Sequence, residues 1–299
     1  MTTLLLKEQA TNGDISLTNF YARRVLRIFP VAYLYLAVVA VLTVLFSFDM
    51  PLLPLVKAAL YLSNTDVITE ARPWLTGHYW SLSVEEQYYV IFPFILTRGV
   101  RAFMIVAVAT LVMIPISNYA YAHGYFHQGL PSFVCQVLRN LGGPIVGSIA
   151  AILTFRDRRS INIPERYRSM TSILLFAAAA VLSTNTIVTV PAFISQMLIA
   201  VMIIINIKPY NGFMFTFLNS KILMWIGVLS YSLYIWQQLF TANMPWAEAY
   251  PPITNSPWLN LIPLFLVSYL SYNFFEKPLL SLRQKLSRVP NAAVTTPSS

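Results

Sequence analysis

Long apolar runs alternate with short polar segments along the whole 299-residue chain. A membrane-spanning helix needs about 20 mainly apolar residues, and eight runs approach that length. They lie at 31–48, 80–97, 102–121, 133–155, 170–187, 190–207, 222–241 and 259–276. A shorter run at 51–63 is interrupted by Pro51 and Pro54, which predicts an interfacial or re-entrant segment. The pattern therefore predicts an all-α polytopic transmembrane bundle with about eight spans.

The composition favours a membrane protein over a soluble one. The chain is 57% hydrophobic and only 10% charged, whereas soluble domains carry about 25% charged residues. So few charges cannot cover the surface of a soluble protein of this size. We therefore expect an integral, multi-pass membrane protein. Residues 1–286 form its membrane domain, and the polar segment 287–299 is expected to be a disordered cytoplasmic tail.

The net charge of +9 is explained by the position of the basic residues. If the N-terminus is cytoplasmic, all but Lys57, Arg72 and Arg139 of the 20 basic residues lie at the cytoplasmic ends of the spans. This bias follows the positive-inside rule and places both termini in the cytoplasm. The basic charge thus reports membrane topology, and no nucleic acid partner is expected.

Neither cysteine nor histidine predicts a metal site. Cys135 is the single cysteine, which excludes an intramolecular disulfide and a cysteine-rich metal centre. His123 and His127 have a spacing that can bind a metal on a helix, but no cysteine or carboxylate is close to them in sequence. We interpret both as external loop residues and expect no metal and no tightly bound cofactor.

The segment FYARRVLRIFP, residues 20–30, precedes the first apolar run and contains Arg23, Arg24 and Arg27. Arg23 and Arg27 share a helix face, as do Arg24 and Arg27. One interpretation is that all three anchor the helix at the headgroups. The other is an anion site, because guanidinium groups bind phosphates through paired hydrogen bonds. The spacing alone favours the headgroup anchor over the anion site.

The segment HYWSLSVEEQYYVIFP, residues 78–93, places Glu85 and Glu86 side by side before an apolar run. Ser83 and Glu86 fit a capping box, which gives Glu86 a local role. Glu85 has no such role, and carboxylates near membrane depth tend to face a protein interior or an aqueous cavity. Glu85 is therefore the stronger candidate for proton transfer. His78 either acts with these acids or is a loop histidine.

Two further segments carry polar residues within apolar runs. In VLRNLGGPIVG, residues 137–147, Arg139 precedes a glycine pair and a proline that permit a broken helix. Snorkelling and a role in lining a substrate path both account for Arg139. The aromatic residues Trp80 and Tyr88 are further candidates for such a path. In SYSLYIW, residues 230–236, the hydroxyls are interpreted as packing contacts between helices.

Four segments together resemble the acyltransferase family 3, bacterial membrane proteins that O-acylate polysaccharides and similar acceptors. They are FYARRVLRIFP, HYWSLSVEEQYYVIFP, SYSLYIW and SYNFFEKPLL, the last at residues 271–280. The resemblance implies a place in the bacterial inner membrane, a cytoplasmic acyl-CoA donor, commonly acetyl, and a hydroxyl acceptor on a carbohydrate or lipid-linked glycan. By the same resemblance Arg24 and Arg27 match the family's donor-site arginines, with Arg23 beside them, and Glu85, Glu86 and His78 match its motif acids and histidine.

The chain departs from the family in two respects. The family begins with two more spans, the first of which carries its catalytic histidine, and no histidine here occupies that position. Gln237 also stands where the family often has histidine. These departures predict a chain with reduced activity. The alternatives are a transporter or flippase and a non-catalytic membrane subunit. From the topology we expect the arginines and the acids at opposite ends of the bundle, joined by a tunnel.

Overall fold

The structure is a computed structural model that describes residues 1–46, 50–126, 129–156, 163–183, 189–241 and 257–285. These residues form helices, short helical turns and connecting loops, and they contain no β-strand. The predicted all-α class is therefore confirmed for the described part. The predicted tail at 287–299, His127 and most of the external segment before Trp258 lie outside it.

The helices are numbered in chain order. The first six are α1 (Thr2–Asn12), α2 (Leu17–Phe46), α3 (Leu52–Ala59), α4 (Tyr79–Thr97), α5 (Val100–Ala122) and α6 (Gly129–Leu138). They are followed by α7 (Gly142–Arg156), α8 (Glu165–Ser183), α9 (Thr189–Asn206) and α10 (Phe213–Leu218). The last are α11 (Lys221–Trp236), α12 (Pro257–Ser271) and α13 (Lys277–Lys285). Short 3₁₀ turns occur at Trp74–Thr76 and Gln237–Leu239, and a π-helical turn at Tyr272–Glu276 joins α12 to α13.

Two glycines set the helix boundaries that position the site. Gly13 follows α1 with φ of 80°, and Gly99 separates α4 from α5 with φ of 113°. These are backbone conformations that side-chain-bearing residues rarely adopt. As a result α1 ends before the arginine segment, and α4 ends in a sharp reversal into α5.

The structure corrects the predicted number of spans. Three helices of the described chain are long and apolar enough to cross a membrane: Leu17–Phe46, Val100–Ala122 and Trp258–Ser281. A fourth arises if α6 and α7, which are bent by 50°, count as one span. The expectation of eight is therefore not met. The apolar runs of the sequence are divided differently by the fold, since α11 has only 16 residues and α8 begins with a charged turn.

Two apolar clusters hold the bundle together, and α4 contributes to both. The first joins the middle of α2 to α3, the start of α4, α11 and α12, with Tyr35 and Tyr79 fully buried at its centre. The second joins α1, the latter part of α4, α5 and α7 around Tyr88 and Phe103. Leu82 belongs to the first cluster and Val84 to the second. The next two residues, the acidic pair, thus follow the junction between the clusters.

Candidate functional site

Antiparallel packing of α2 on α4 determines which side chains meet in the interior. Tyr21 donates a hydrogen bond of 2.8 Å to the carbonyl of Val90 near one end of the pair. Near the other end Tyr79 donates to the carbonyl of Ala32, and Tyr35 donates over 2.7 Å to Leu75. Residue numbers therefore increase along α2 in the direction in which they decrease along α4. This register places the arginines of α2 at the level of the acids of α4.

Arg24 is the clearest link between the two motifs. Its guanidinium carbon lies 3.6 Å from the centroid of the Tyr89 ring, a cation–π contact. Its positive charge acts on both Glu85 and Glu86. The charge of Arg27 also acts on Glu85. The expectation that arginines and acids occupy opposite ends of the bundle is therefore wrong. The arginines lie inside α2, which begins at Leu17, rather than ahead of a span.

The three predicted donor-site arginines differ in their surroundings. Together they line a small cleft of about 80 Å³ against Leu4 and Leu5 of α1. Within it Arg23 forms an ion pair of 3.0 Å with Glu8, whose carboxylate is almost fully buried. The Glu8 carboxylate also accepts the backbone N–H of Ser16. Arg23 therefore links α1 to α2, whereas the charges of Arg24 and Arg27 act on the carboxylate of Glu85.

The predicted capping box is wrong. Helix α4 begins at Tyr79 after His78, so Ser83 lies in its second turn and not at its N-cap. The Ser83 hydroxyl donates over 2.8 Å to the carbonyl of Tyr79 and accepts the N–H of Ser63. Glu86 consequently has no capping role. Its Oε1 atom is buried and has no hydrogen-bond partner among the described residues.

Glu85 lines a cavity of about 560 Å³ between α1, α4, α7 and α9. Tyr88 lines it one turn further along α4, where it stacks on Phe92 and hydrogen-bonds to Ser148 at 2.5 Å. The wall on α7 consists mainly of small residues, namely Gly143, Pro144, Gly147, Ser148, Ala150 and Ala151. Glu85, the two tyrosines Tyr88 and Tyr89 and a few hydroxyl side chains thus face a mainly apolar space, which is the usual composition of a ligand cavity.

Glu276 is a further buried carboxylate that sequence reasoning did not single out. It accepts a hydrogen bond from Ser232 of α11 and lies 3.4 Å from the hydroxyl of Ser271. The charge of Arg27 acts on it. The π-helical turn that carries Glu276 is a local distortion often found at functional sites. A signal was present in the sequence, because Glu276 directly follows the apolar pair Phe274 and Phe275 in the last motif.

His78 is buried beside aromatic side chains, not beside the acids. Its ring lies 5.0 Å from that of Tyr35 and 4.9 Å from that of Tyr79, and Tyr234 donates to its backbone carbonyl. Neither ring nitrogen has a partner within hydrogen-bond distance among the described residues. Burial lowers the pKa of His78 to about 4, although the backbone of Ile235 opposes the shift. The imidazole is therefore neutral near pH 7.

The remaining predicted path residues lie outside this interior. Arg139 occupies the break between α6 and α7, with its guanidinium carbon 4.3 Å from the Tyr121 ring. Tyr121 lines an open cleft of about 970 Å³ together with Asp66 and Gln136. Trp80 is 43% exposed and borders only a minor cleft near Lys57. Arg139 and Trp80 are thus separate from the cavity that Tyr88 lines.

The cleft beside Arg139 has a wall of hydrogen-bonded polar side chains. Asp66 forms an ion pair of 2.7 Å with Arg72 and accepts the hydroxyl of Tyr121 at 2.9 Å. The N–H of Asp66 donates to the side-chain oxygen of Gln136. Burial opposes the ionisation of Asp66, but the hydrogen bonds from Arg72 and Tyr121 outweigh this effect and lower the pKa of Asp66.

Among the described residues no group of three His, Cys, Asp or Glu side chains is arranged to hold a metal.

Comparison with known proteins gives a consistent result. The chain is 26% identical over 310 residues to "Putative peptidoglycan O-acetyltransferase YrhL" of Bacillus subtilis, and the match covers 93% of this chain and 48% of that protein. It is 25% identical over 308 residues to "Putative O-acetyltransferase SACOL0978" of Staphylococcus aureus, covering 93% and 50%. It is 23% identical over 309 residues to "Peptidoglycan O-acetyltransferase OatA" of Listeria monocytogenes, covering 93% and 49%.

The chain thus spans about half the length of the curated relatives that it matches. No solved structure is significantly similar to it. The family model described as "Acyltransferase domain" matches residues 3–272, which is most of the chain and includes Arg23, Arg24, Arg27, Glu85 and Glu86. With this match and the four sequence motifs, the chain belongs to the acyltransferase family 3.

Proposed function

We propose that this chain is the membrane part of an O-acyltransferase that moves an acyl group, commonly acetyl, from acyl-CoA to a hydroxyl of a carbohydrate-type acceptor. The observation that carries the proposal is the position of Arg24 over the Tyr89 ring, where its charge acts on Glu85 and Glu86 beside the 560 Å³ cavity. The relatives named as peptidoglycan O-acetyltransferases support an acceptor of the glycan type.

Donor binding is assigned to the arginines. Coenzyme A carries phosphate groups, and guanidinium groups bind phosphate with charge-assisted hydrogen bonds. Arg24 and Arg27 line one cleft at the level of the acids, so a donor held there has its thioester end near α4. Arg23 contributes less to the donor, since Glu8 already neutralises its charge. The acyl chain occupies the small-residue cavity that Glu85 and Tyr88 line.

The reaction requires a base and a leaving group. The acceptor oxygen attacks the thioester carbonyl carbon, and the carboxylate of Glu85 or Glu86 removes the hydroxyl proton. The carbon–sulfur bond then breaks, and the CoA thiolate takes up a proton as it leaves. The products are an ester and free CoA. A positioned general base typically contributes ~10²–10⁴-fold to such a rate. The His78 ring contacts the aromatic rings of Tyr35 and Tyr79, so this scheme gives it a structural role and no part in the proton transfer.

The proposed orientation of the protein in the membrane rests on the distribution of its basic residues. By the positive-inside rule, the excess of basic residues favours an orientation with both termini in the cytoplasm of a bacterial inner membrane. The arginine cleft then faces the acyl-CoA pool, and the 970 Å³ cleft beside Arg139 faces the outside, where a lipid-linked or polymeric glycan arrives. Membrane lipid surrounds the bundle.

Donor binding provides the test. Purified protein in nanodiscs is titrated with acetyl-CoA, comparing wild type with Arg24→Ala combined with Arg27→Ala. Two lost charged hydrogen bonds of about 1.5 kcal/mol each correspond to a loss of affinity on the order of a hundredfold. Arg166→Ala is the matched control, because Arg166 also packs on a tyrosine, at 4.6 Å from Tyr167, but lies on an exposed helix end. Wild-type protein that does not bind acetyl-CoA, or a double variant that binds as well as Arg166→Ala, contradicts the donor assignment.

A further inference from the structure

Tyr61 has an unusual backbone conformation. It follows α3 with φ of 53°, and it is the only non-glycine residue with positive φ in the part of the chain that the structure describes. Such a conformation is unfavourable for a residue with a bulky side chain and persists only where the surroundings impose it. Strained residues of this kind concentrate at functional sites, so Tyr61 is a candidate for a role beyond packing.

The surroundings hold Tyr61 from two sides. The side-chain amide of Gln87 donates over 3.0 Å to the Tyr61 carbonyl and over 2.8 Å to the side chain of Asn64. The Tyr61 ring stacks on Phe29 of α2, with ring centroids 5.2 Å apart and planes inclined by 24°. The loop after α3 is therefore fixed against α4 beside Glu86 and against α2 beside the arginine segment.

The hydroxyl of Tyr61 is buried and has no hydrogen-bond partner among the described residues. The side chain as a whole is only 7% exposed. Burial, together with the negative charge of Glu86, raises the pKa of Tyr61, so the hydroxyl stays protonated and acts as a donor. Buried polar groups in native proteins are nearly always hydrogen-bonded, and an exception calls for an explanation.

Glu86 also has a buried polar atom without a hydrogen-bond partner in the described part of the chain, but this atom is an acceptor. Its Oε1 atom is also buried without a partner among the described residues, and its charge reaches Tyr61. Gln87, the next residue on α4, donates to the backbone carbonyl of Tyr61, which places the loop that carries Tyr61 beside this turn of α4. One atom is a hydrogen-bond donor, and the other is an acceptor. An alcohol satisfies both, since a hydroxyl donates one hydrogen bond and accepts others.

We propose that Tyr61 and Glu86 form the site that binds the acceptor hydroxyl, with Tyr61 donating a hydrogen bond to its oxygen and Glu86 accepting one from its proton. This inference rests on the proposed function and extends it, because it assigns Tyr61 to the acceptor and gives Glu86, not Glu85, the position of the base. The arginine cleft and the 560 Å³ cavity remain the donor's part of the site.

Affinity for the acceptor tests the inference independently of the donor. Wild-type protein in nanodiscs is titrated with solubilised peptidoglycan glycan strands and, separately, with acetyl-CoA. Tyr61→Phe keeps the ring and its stacking on Phe29 but removes the donor. We expect it to bind the strands about tenfold more weakly, the value of one neutral hydrogen bond, with unchanged acetyl-CoA affinity. Glu86→Gln keeps the shape but not the charge, and it should weaken strand binding at least as much.

The controls separate a binding role from a structural one. Tyr33→Phe changes a tyrosine in the same aromatic cluster, whose hydroxyl donates to Ala59, and Glu165→Gln changes an exposed acid on α8. Both should bind the strands as wild type does. Thermal unfolding adds a second readout, because Tyr61→Phe removes an unpartnered polar atom and should unfold no earlier than wild type.

Three results overturn the inference. They are strand binding by Tyr61→Phe equal to that of Tyr33→Phe, an equal loss of acetyl-CoA affinity in Tyr61→Phe, and wild-type protein that binds acetyl-CoA but not the strands. The last leaves the donor half of the proposed function intact. Wild-type protein that binds neither ligand contradicts the proposed function itself, so the two failures are distinguishable.

Discussion

The buried, neutral state of His78 predicts a specific dependence of stability on pH. Burial lowers the pKa of His78 from 6.5 to about 4. In the unfolded chain the imidazole regains its ordinary pKa, so between pH 6.5 and 4 the unfolded state binds more protons than the folded state. Stability therefore falls as the pH falls through this window, and the contribution is fully present above pH 6.5.

The size of the stability loss follows from the difference between the folded and unfolded pKa values of His78. A difference of about 2.5 pKa units corresponds to ~3 kcal/mol once the pH is below both values. At pH 5 the loss is already about 2 kcal/mol relative to pH 7.5. The side chain is only 9% exposed, so solvent screening reduces this value little. Its ring neighbours Tyr35, Tyr79 and Tyr234 are uncharged near pH 7 and provide no compensating ion pair.

The assay is thermal unfolding in detergent between pH 7.5 and pH 5, comparing wild type with His78→Phe. The phenyl ring preserves the edge contacts with the neighbouring tyrosines but does not titrate. The variant should lose about 2 kcal/mol less than wild type across this range. His123→Phe is the control, since His123 is exposed and stacks on Tyr119 at 4.0 Å. Equal losses in wild type and His78→Phe would refute the reasoning.

Two further substitutions test the division of roles in the site. Arg23→Ala removes the ion-pair partner of the buried Glu8 carboxylate, and it should destabilise the protein by about 3 kcal/mol in thermal unfolding. If Arg23→Ala instead has normal stability and loses as much acetyl-CoA affinity as Arg24→Ala, Arg23 binds the acyl donor. Gly147→Leu places a side chain where no atom lies within 4 Å of the added Cβ, in the wall of the 560 Å³ cavity. It should weaken binding of butyryl-CoA more than that of acetyl-CoA, and equal affinities for both would exclude this cavity as the acyl site.

Local sequence was a good guide to class and family, because both depend on features that are contiguous in the chain. The low charge content predicts helices in a membrane, and four short motifs are enough to indicate the family that the match over residues 3–272 confirms. The number of spans could not be predicted in this way. Apolar runs of similar length become one long helix at Leu17–Phe46 and a bent pair at α6 and α7, depending on their packing partners.

In the candidate site, too, some features could be predicted from the sequence and others depend on the fold. The sequence by itself determined which residues are candidates for the chemistry, since Arg24, Glu85 and Glu86 stand out against an apolar background. It placed them at opposite ends of the bundle, and it gave Glu86 a capping role. Only the tertiary structure decided otherwise, because the start of α4 and its antiparallel register on α2 depend on contacts between residues distant in sequence. Tyr61 could not be identified from the sequence for the same reason. Its positive φ and its buried hydroxyl without a hydrogen-bond partner among the described residues are properties of the folded chain.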